Sequence, residues 1–523
     1  MYPTSQAFKD AGYASTRNAT ARVMFDISDV SAVADVIDNT VTTEHANLSQ
    51  KAQVINKKRI ASYNLATLEQ DRFRLDGTFS FPDALPANNG ETGYVSNALC
   101  GADGVFSPAR TIAITFGGLH SSAGITVTFD QFNNEYATDF NISTYNAANA
   151  LIKSVDVTGN TLALYPLFGP FDNYKKIIVT INKWSVGNRR ARVLEVDFGY
   201  VRLYTDNEII RLNMVEEMDM TSGALPSPEF RFSVDNSDRV FNILNPAGYV
   251  KYLQQRQEVV AEIGFEVAPN IFEFVPVGRY LLSEWASEEG SLLASFTART
   301  NLDLMANYFM ESLVPSTATL AQVAILVFNY CGIKNFSIDP ALNSVMTSGL
   351  VKKTDCRTII QMVAIAGCCN IFVTRDNVIT LKRVAFSAPA AGLDFDNMYT
   401  EPKIELEGVV KRVDVNYWTT LETSGTSTVT AAGVDSGEVL KLEENTLINS
   451  SAAALTVANW ILAQRQYRAK YSANWRGDPS YELGDVISIE NSYGSSMTAM
   501  ITKTEIDYEG YLQARTEAKG AVN

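Results

Sequence analysis

Histidine is almost absent from this chain: two residues in 523, His45 and His120. Each stands alone in a polar or loop-like stretch and reads as a surface residue. No HExxH, no H-x-H and no Cys–His pairing at metal spacing can be built from them. Cysteine is scarce as well. Cys100, Cys331, Cys356, Cys368 and Cys369 are odd in number and lack CxxC spacing, so neither a disulfide framework nor a zinc site is expected. They suit a reducing cytoplasm, and the adjacent Cys368 and Cys369, behind an apolar helical run, read as core. The sequence has no GxSxG elbow, no P-loop and no GxGxxG, so acyl hydrolysis, P-loop nucleotide chemistry and dinucleotide binding lose their usual signals. A glycosidase pair is defined by a separation in space, and the 58 acidic residues single out no such pair.

No apolar run approaches the roughly 18 residues that span a bilayer, and the polar start "MYPTSQAFKDAGYAS" lacks a secretion signal. Positive charge is also short. The net charge of −15 argues against a protein whose main task is gripping nucleic acid. The densest basic cluster, "NRRAR" (Asn188 to Arg192), lies in a β-like context and reads as a solvated strand edge. An acidic surface suits a protein held soluble at high local concentration, or a channel wall that must not hold passing nucleic acid. "LDFDN", Leu393 to Asn397, lacks the glycine and distal glutamate of a calcium loop and reads as a polar turn.

What the sequence does have is β signal. With 46% hydrophobic and 19% charged residues the composition is that of a folded protein, and its length exceeds one core. The expected fold class is mainly β with some α, in several domains. Residues 1–90 carry strand-like runs such as Ala21 to Ile27, after a short polar lead. The loop-rich stretch 80–95 makes a boundary. Residues 91–200 hold "TIAITF" (111–116), "GITVTFD" (124–130), "DFNISTY" (139–145), "KKIIVTINKW" (175–184) and "RVLEVDFG" (192–199), strands spaced as in a sandwich or jelly roll. Its Phe129, Phe132, Tyr136, Phe140, Tyr145 and Trp184 read as core more readily than as sugar-stacking rings. Residues 201–310 form a further β segment. Residues 311–400 combine helices at Ala318 to Tyr330 and Thr354 to Gly367 with a hairpin over 369–384 turning at Arg375, Asp376 and Asn377. Residues 401–523 open with a strand over 408–419. A Ser/Thr/Gly-rich loop (423–437) and a helix from Ser451 to about Lys470 follow, and three alternating strands after Tyr481 finish the chain.

The order of short motifs resembles the tail-hub proteins of bacteriophages and prophages. The residues that carry the resemblance are Asp235, Asn236, Phe241, Asn242, Asn245 and Pro246, then Pro276, Gly278 and Tyr280, then Asp303 and Leu304, and finally Leu483, Gly484, Asp485 and Val486. The stretches Ala66 to Glu69 and Phe73 to Gly77 are similar to minor structural proteins of phages infecting Gram-positive bacteria. Ala191, Arg192, Glu195, Val196, Phe198 and Gly199 resemble the closing strand of discoidin-like (galactose-binding-like) jelly rolls, inserted here at 91–200. The resemblance implies a structural component of a phage tail tip or baseplate hub, made in the host cytoplasm and built into the virion. It would join tube to tip and close the channel as a homotrimer among other tail proteins (tube, distal tail protein, tip fibre or spike). The jelly roll would brace its neighbours or contact host-surface glycans. No enzyme activity, no catalytic, cofactor-binding or metal residue and no cofactor is expected. Nor is a membrane span or specific nucleic-acid binding. The competing reading is a cell-wall carbohydrate-binding protein or wall-degrading enzyme. The lytic domain that often follows such hubs is not seen before Asn523, which weighs against the enzyme.

Overall fold

The computed structural model describes residues 1–41, 49, 51–59, 66–67, 69–70, 72–73, 79, 92–311, 317–493 and 496–522. His45, part of the Ala66–Glu69 and Phe73–Gly77 stretches, and most of the loop-rich 80–95 segment lie outside the described residues. The protein is mainly β with few helices. It divides into two compact units. One comprises Met1–Val23, Tyr204–Asp238 and Val259–Asn523, and the other Met24–Leu203 and Arg239–Glu258.

The first unit is organised by one long antiparallel run of strands, in the order Lys403–Leu406, Ala469–Trp475, Leu512–Gly520, Ser496–Tyr508, Ile209–Glu217, Glu229–Asp235, Leu293–Arg299 and Ile271–Ala286. The last three strands of the chain pair as their alternation predicts. Gly484 makes the turn that leads into Val486–Glu490 with φ +81°, a conformation glycine adopts without steric cost. Helix Leu320–Tyr330 begins at a capping box, in which Thr319 and Gln322 each receive the other's backbone N–H. Helix Cys356–Ala366 is capped by Asp355, which accepts from the Thr358 N–H. These two helices and the hairpin Asn370–Val373/Ile379–Lys382 close over Leu320, Val323, Val327, Ile359, Ile360, Val363 and Cys369, all fully or nearly fully buried.

Three segments depart from the expected course. The polar lead contains a helix, Gln6–Tyr13, capped by Ser5 and held by a single buried ring, Phe8, against Phe265. The Ser/Thr/Gly-rich stretch 423–437 is not all loop, because Ser424–Thr430 pairs with Val410–Trp418 and its hydroxyls bond to Asn416 and Asp414 across the pair. The last long helix stops at Gln464 rather than Lys470. Ala469 already belongs to a strand, whose pairing with Leu512–Gly520 overrides local helix propensity.

In the second unit the two segments expected as separate strands are one bent strand, Val105–Phe129. Its first part pairs with the late part of Leu164–Trp184 (Ile112 opposite Val179). Its last part pairs with the early part (Val127 opposite Tyr165), and register breaks lie between Thr115 and Gly124. Ala137–Tyr145 and Leu151–Val157 extend the first half, and Arg192–Asp197 covers the second. The sheet thus folds over itself around one core containing Ile112, Ile125, Phe129, Phe140, Val179 and Trp184. Phe129 meets Phe140 and Trp184 edge to face at 5.4 and 5.8 Å. Phe132 does not join them and stays 69% exposed. At Gly199 a Cβ would lie 2.3 Å from Ser28 Cα, so only glycine lets these backbones approach.

Candidate functional site: a charge-paired sheet face

Alternation splits the long sheet of the first unit into an apolar and a polar face. On the buried side Leu212, Met214, Phe230, Phe232, Ala298, Ile506 and Ala514 meet across the pairings. Phe230 stacks on Phe232 and Tyr280, and Phe232 on Phe296, with centroids 4.9–5.4 Å apart. Each such side chain withdrawn from water contributes about 1.5–3 kcal/mol. The opposite side reads across seven strands: Glu405, Lys470, Glu517 and Arg515, Lys503 and Glu505, Asn213, Arg231, Thr297.

The cations of that face are held by acids on neighbouring strands, just past a strand end, or two residues along the same strand. Lys470 reaches Glu517 at 2.9 Å, Lys503 reaches Glu217 at 3.5 Å, and Lys519 reaches Glu407 at 2.5 Å. Arg211 reaches Asp507 at 3.3 Å and Glu509 at 3.1 Å. Glu229 takes both Arg231 at 2.6 Å and Arg299 at 3.1 Å. Each exposed pair adds at most about 1 kcal/mol. Their consequence is electrostatic: cations already matched by acids leave little positive potential to hold a polyanion. Chemically the face is wetted, close to neutral and poor in adhesive groups. At its rim the strand Lys403–Leu406 is exposed along its length, pairs on one side only among the described residues, and shows Ile404 and Leu406 to solvent.

Beneath the sheet sits a buried charge that sequence reading takes for a turn residue. Arg375, at the tip of the 370–382 hairpin, donates to Glu216 Oε1 at 3.1 Å, to the carbonyls of Pro276 at 3.3 Å and Tyr481 at 2.6 Å, and to that of Pro479. Burial raises the Glu216 carboxyl above its ordinary range, against the pull of Arg375. Burial also opposes the guanidinium charge, yet Glu216 holds that group above its usual value.

The motif residues take turn and bracing roles. Asp235 accepts from the Ser237 N–H, buried Asn236 donates to Ser287 Oγ, Asn245 donates to the Arg239 carbonyl, and Asp303 pairs with Arg357 at 3.4 Å. Tyr280 fills the space beside Gly278. Asp485 takes the amino group of Met1 at 2.5 Å and the Glu482 N–H at 2.8 Å. Asp394 and Asn397 exchange side-chain to backbone bonds at 3.1 Å, making the Leu393–Asn397 stretch a polar turn. The buried Cys368 and Cys369 are core.

Two readings of charge are corrected in the second unit. The Asn188–Arg192 cluster is not a solvated edge. Arg192 bonds Glu69 at 2.5 Å, the Arg190 N–H donates to Glu69 at 2.7 Å, and Arg189 lies 3.3 Å from Glu135. Glu135 also receives Arg72 at 2.5 Å and Trp184 Nε1 at 3.2 Å. Acids distant in sequence neutralise the arginines, so they can be covered. Burial opposes the Glu69 charge, but Arg192 and Thr67 hold its carboxyl below the usual range. His120 is likewise buried, not a surface residue. A deeper cluster, Lys57 and Arg59 with Asp26 and Asp197, lies within 2.5–3.2 Å contacts, again invisible to local pattern.

Among the described residues no cluster of three or more His, Cys, Asp or Glu is placed to hold a metal ion, and no helix is long and apolar enough to cross a membrane. No protein-family model matches the sequence, and no curated protein matches it. Solved structures do. The chain is similar to a tail protein from Neisseria meningitidis, with TM-score 0.44 and 11% identity, over 61% of this chain and 93% of that one. It is similar to the 43 kDa tail protein of prophage MuSo2 from Shewanella oneidensis (TM-score 0.42, 11% identity, 61% and 94% covered). A prophage tail protein from Listeria monocytogenes is also similar (TM-score 0.40, 9% identity, 60% and 91% covered).

Proposed function

We propose that this chain is a structural hub of a phage-type tail tip, without turnover, which joins the tail tube to the tip and closes its channel. The charge-paired sheet face carries the reading. A surface past which a polyanion must slide should be wetted and should balance its cations with acids, and the ion pairs of this face supply that balance even where the arginines reach solvent. The motif residues Asp235, Asn236, Gly278, Tyr280, Gly484 and Asp485 support it by shaping the turns and packing around that sheet. The rim strand Lys403–Leu406, with Ile404 and Leu406 exposed, suits edge pairing with a neighbouring subunit in a closed homotrimer.

The 91–200 jelly roll serves in this reading as a brace more than as a glycan reader. Glu69 and Arg72, from outside it, are fastened to its loop residues Arg190, Glu135 and Asn133 and to Arg192 at the start of its closing strand. Other tail proteins are the partners, and the assembled virion is the place of action.

Gold-labelled antibody to this chain, applied to particles from an induced lysate, tests the proposal. Label confined to the distal tail end supports it. Label on cell-wall fragments beside bare particles overturns it in favour of a wall-binding protein.

A further inference from the structure

His120 lies where the bent strand Val105–Phe129 passes from one layer of its sheet to the other, opposite Tyr174. The ring sits between Phe116 and Tyr174, with centroids 4.9 and 6.3 Å away, and is 7% exposed. Its Nδ1 is 2.7 Å from Asp29 Oδ2 and its Nε2 is 2.8 Å from Asp35 Oδ2. An ionised carboxylate can only accept, so both ring nitrogens must donate, and the arrangement requires the doubly protonated imidazolium.

Both acids are held by other donors. Asp29 Oδ1 accepts from the Ser31 N–H at 2.9 Å and its hydroxyl at 2.7 Å. Asp35 Oδ2 accepts from the Gly118 N–H at 2.6 Å, and Lys175 is the other cation acting on it. The Asp35 carbonyl receives the Gly117 N–H at 2.9 Å. Directly after it the strand Val36–Val41 pairs with the segment Ile112–Phe116.

We propose that His120 is a proton-held clamp: charged, it fastens the Asp29–Asp35 turn, and with it the strand Val36–Val41, to the corner of the sheet, and it releases them on losing its proton. The sign follows from the groups present. Burial opposes the charge on His120, but hydrogen bonds and charge from Asp29 and Asp35 hold it above its ordinary 6.5. Its contribution is therefore complete below 6.5 and is lost as pH rises through the higher folded-state value. Asp29, despite burial, is held low by Ser31 and His120, and Asp35 by Gly118 and then His120. The carboxylates' share is thus present above about pH 4 and lost only in acid. The clamp is closed across the mildly acidic range and opens towards alkaline pH.

The full-length protein supplies the test. Exchange of the imidazole C2 hydrogen, followed by mass spectrometry from pH 5 to 9, gives the His120 midpoint directly. The expected midpoint lies above 6.5 in the native chain and falls by at least half a unit in Asp35→Asn. Amide exchange of the peptide over residues 29–41, corrected for intrinsic base catalysis, should rise through the same midpoint, with strands Ala137–Tyr145 and Arg192–Asp197 unaffected. A native midpoint at or below 6.5 overturns the clamp whether or not any variant folds. So does amide protection of 29–41 that is flat across the titration.

Discussion

Replacing Arg375 with methionine tests the energetic logic of the first unit most directly. The side chains of Arg375 and Glu216 are 5% and 7% exposed, and they face each other at 3.1 Å. Methionine keeps most of the volume but removes every donor. Three carbonyls lose a partner, and Glu216 becomes a buried anion without a counter-charge. Removing one member of a buried pair costs about 3–5 kcal/mol, mostly because of the charge left behind. That origin makes the loss depend on pH. Burial already raises the Glu216 carboxyl, and without the guanidinium it rises further, so the variant takes up a proton in mild acid. Each unit of rise corresponds to about 1.4 kcal/mol, so the deficit should be full at pH 8 and clearly smaller at pH 5. Urea denaturation followed by tryptophan fluorescence reads both. Arg375→Met with Glu216→Gln should recover part of the pH 8 loss, since the amide carries no charge. A deficit under about 1 kcal/mol that is equal at both pH values, or a double variant no better than the single one, would refute the reasoning.

Four further outcomes are expected. Glu69→Ala takes from covered Arg192 its nearest acid, leaving Asp130 at 3.9 Å, and should cost about 3 kcal/mol in denaturant unfolding, while loosening amide protection around Arg190 and Arg192. Asp355→Ala removes the cap of helix Cys356–Ala366 and should cost about 1 kcal/mol, with Asp355→Asn losing less in the same melt. Ile142→Ala opens a cavity in the folded-over sheet, at about 2–5 kcal/mol, because Ile142 is wholly buried. Glu505→Lys with Asp507→Lys alters half-buried positions on the polar face and should cost about 1 kcal/mol in stability. By reversing the charge at Asp507, one of the two acids on Arg211, and at Glu505 beside Asn213, it should also give the purified protein a salt-dependent affinity for DNA that the parent lacks at equal ionic strength.

Strand parity was the legible part of this sequence. Arg231, Ser233 and Asp235 against Phe230, Phe232 and Val234 declare by alternation alone which side faces the core, and the structure keeps that division across the sheet. Caps were legible for the same local reason: Asp355 and Thr319 act within three residues of themselves. The continuity of Val105–Phe129 was not, because Gly117 and Gly118 look like a turn until the partner strand bends with them. Helix Gln6–Tyr13 gives little apolar signal, since only Phe8 is buried.

Charge was illegible on principle. The partner of Arg375 lies 159 residues away and that of Arg192 lies 123 residues away. A basic run read locally can only be assigned to solvent, because nothing nearby neutralises it. The same distance explains why the candidate site eluded motif search. Its property is the pairing itself: Lys503 with Glu217 and Arg211 with Asp507 across neighbouring strands, and Lys519 with Glu407 just past the rim strand, partners far apart in sequence. Composition shows a net charge of −15 but not where the cations go. A face that neutralises its own cations differs from one that merely has few, because cutting an acid on it releases a cation. For that reason the Glu505 and Asp507 substitutions bear on function, whereas equal changes on a strand without cross-strand partners would only shift the overall charge.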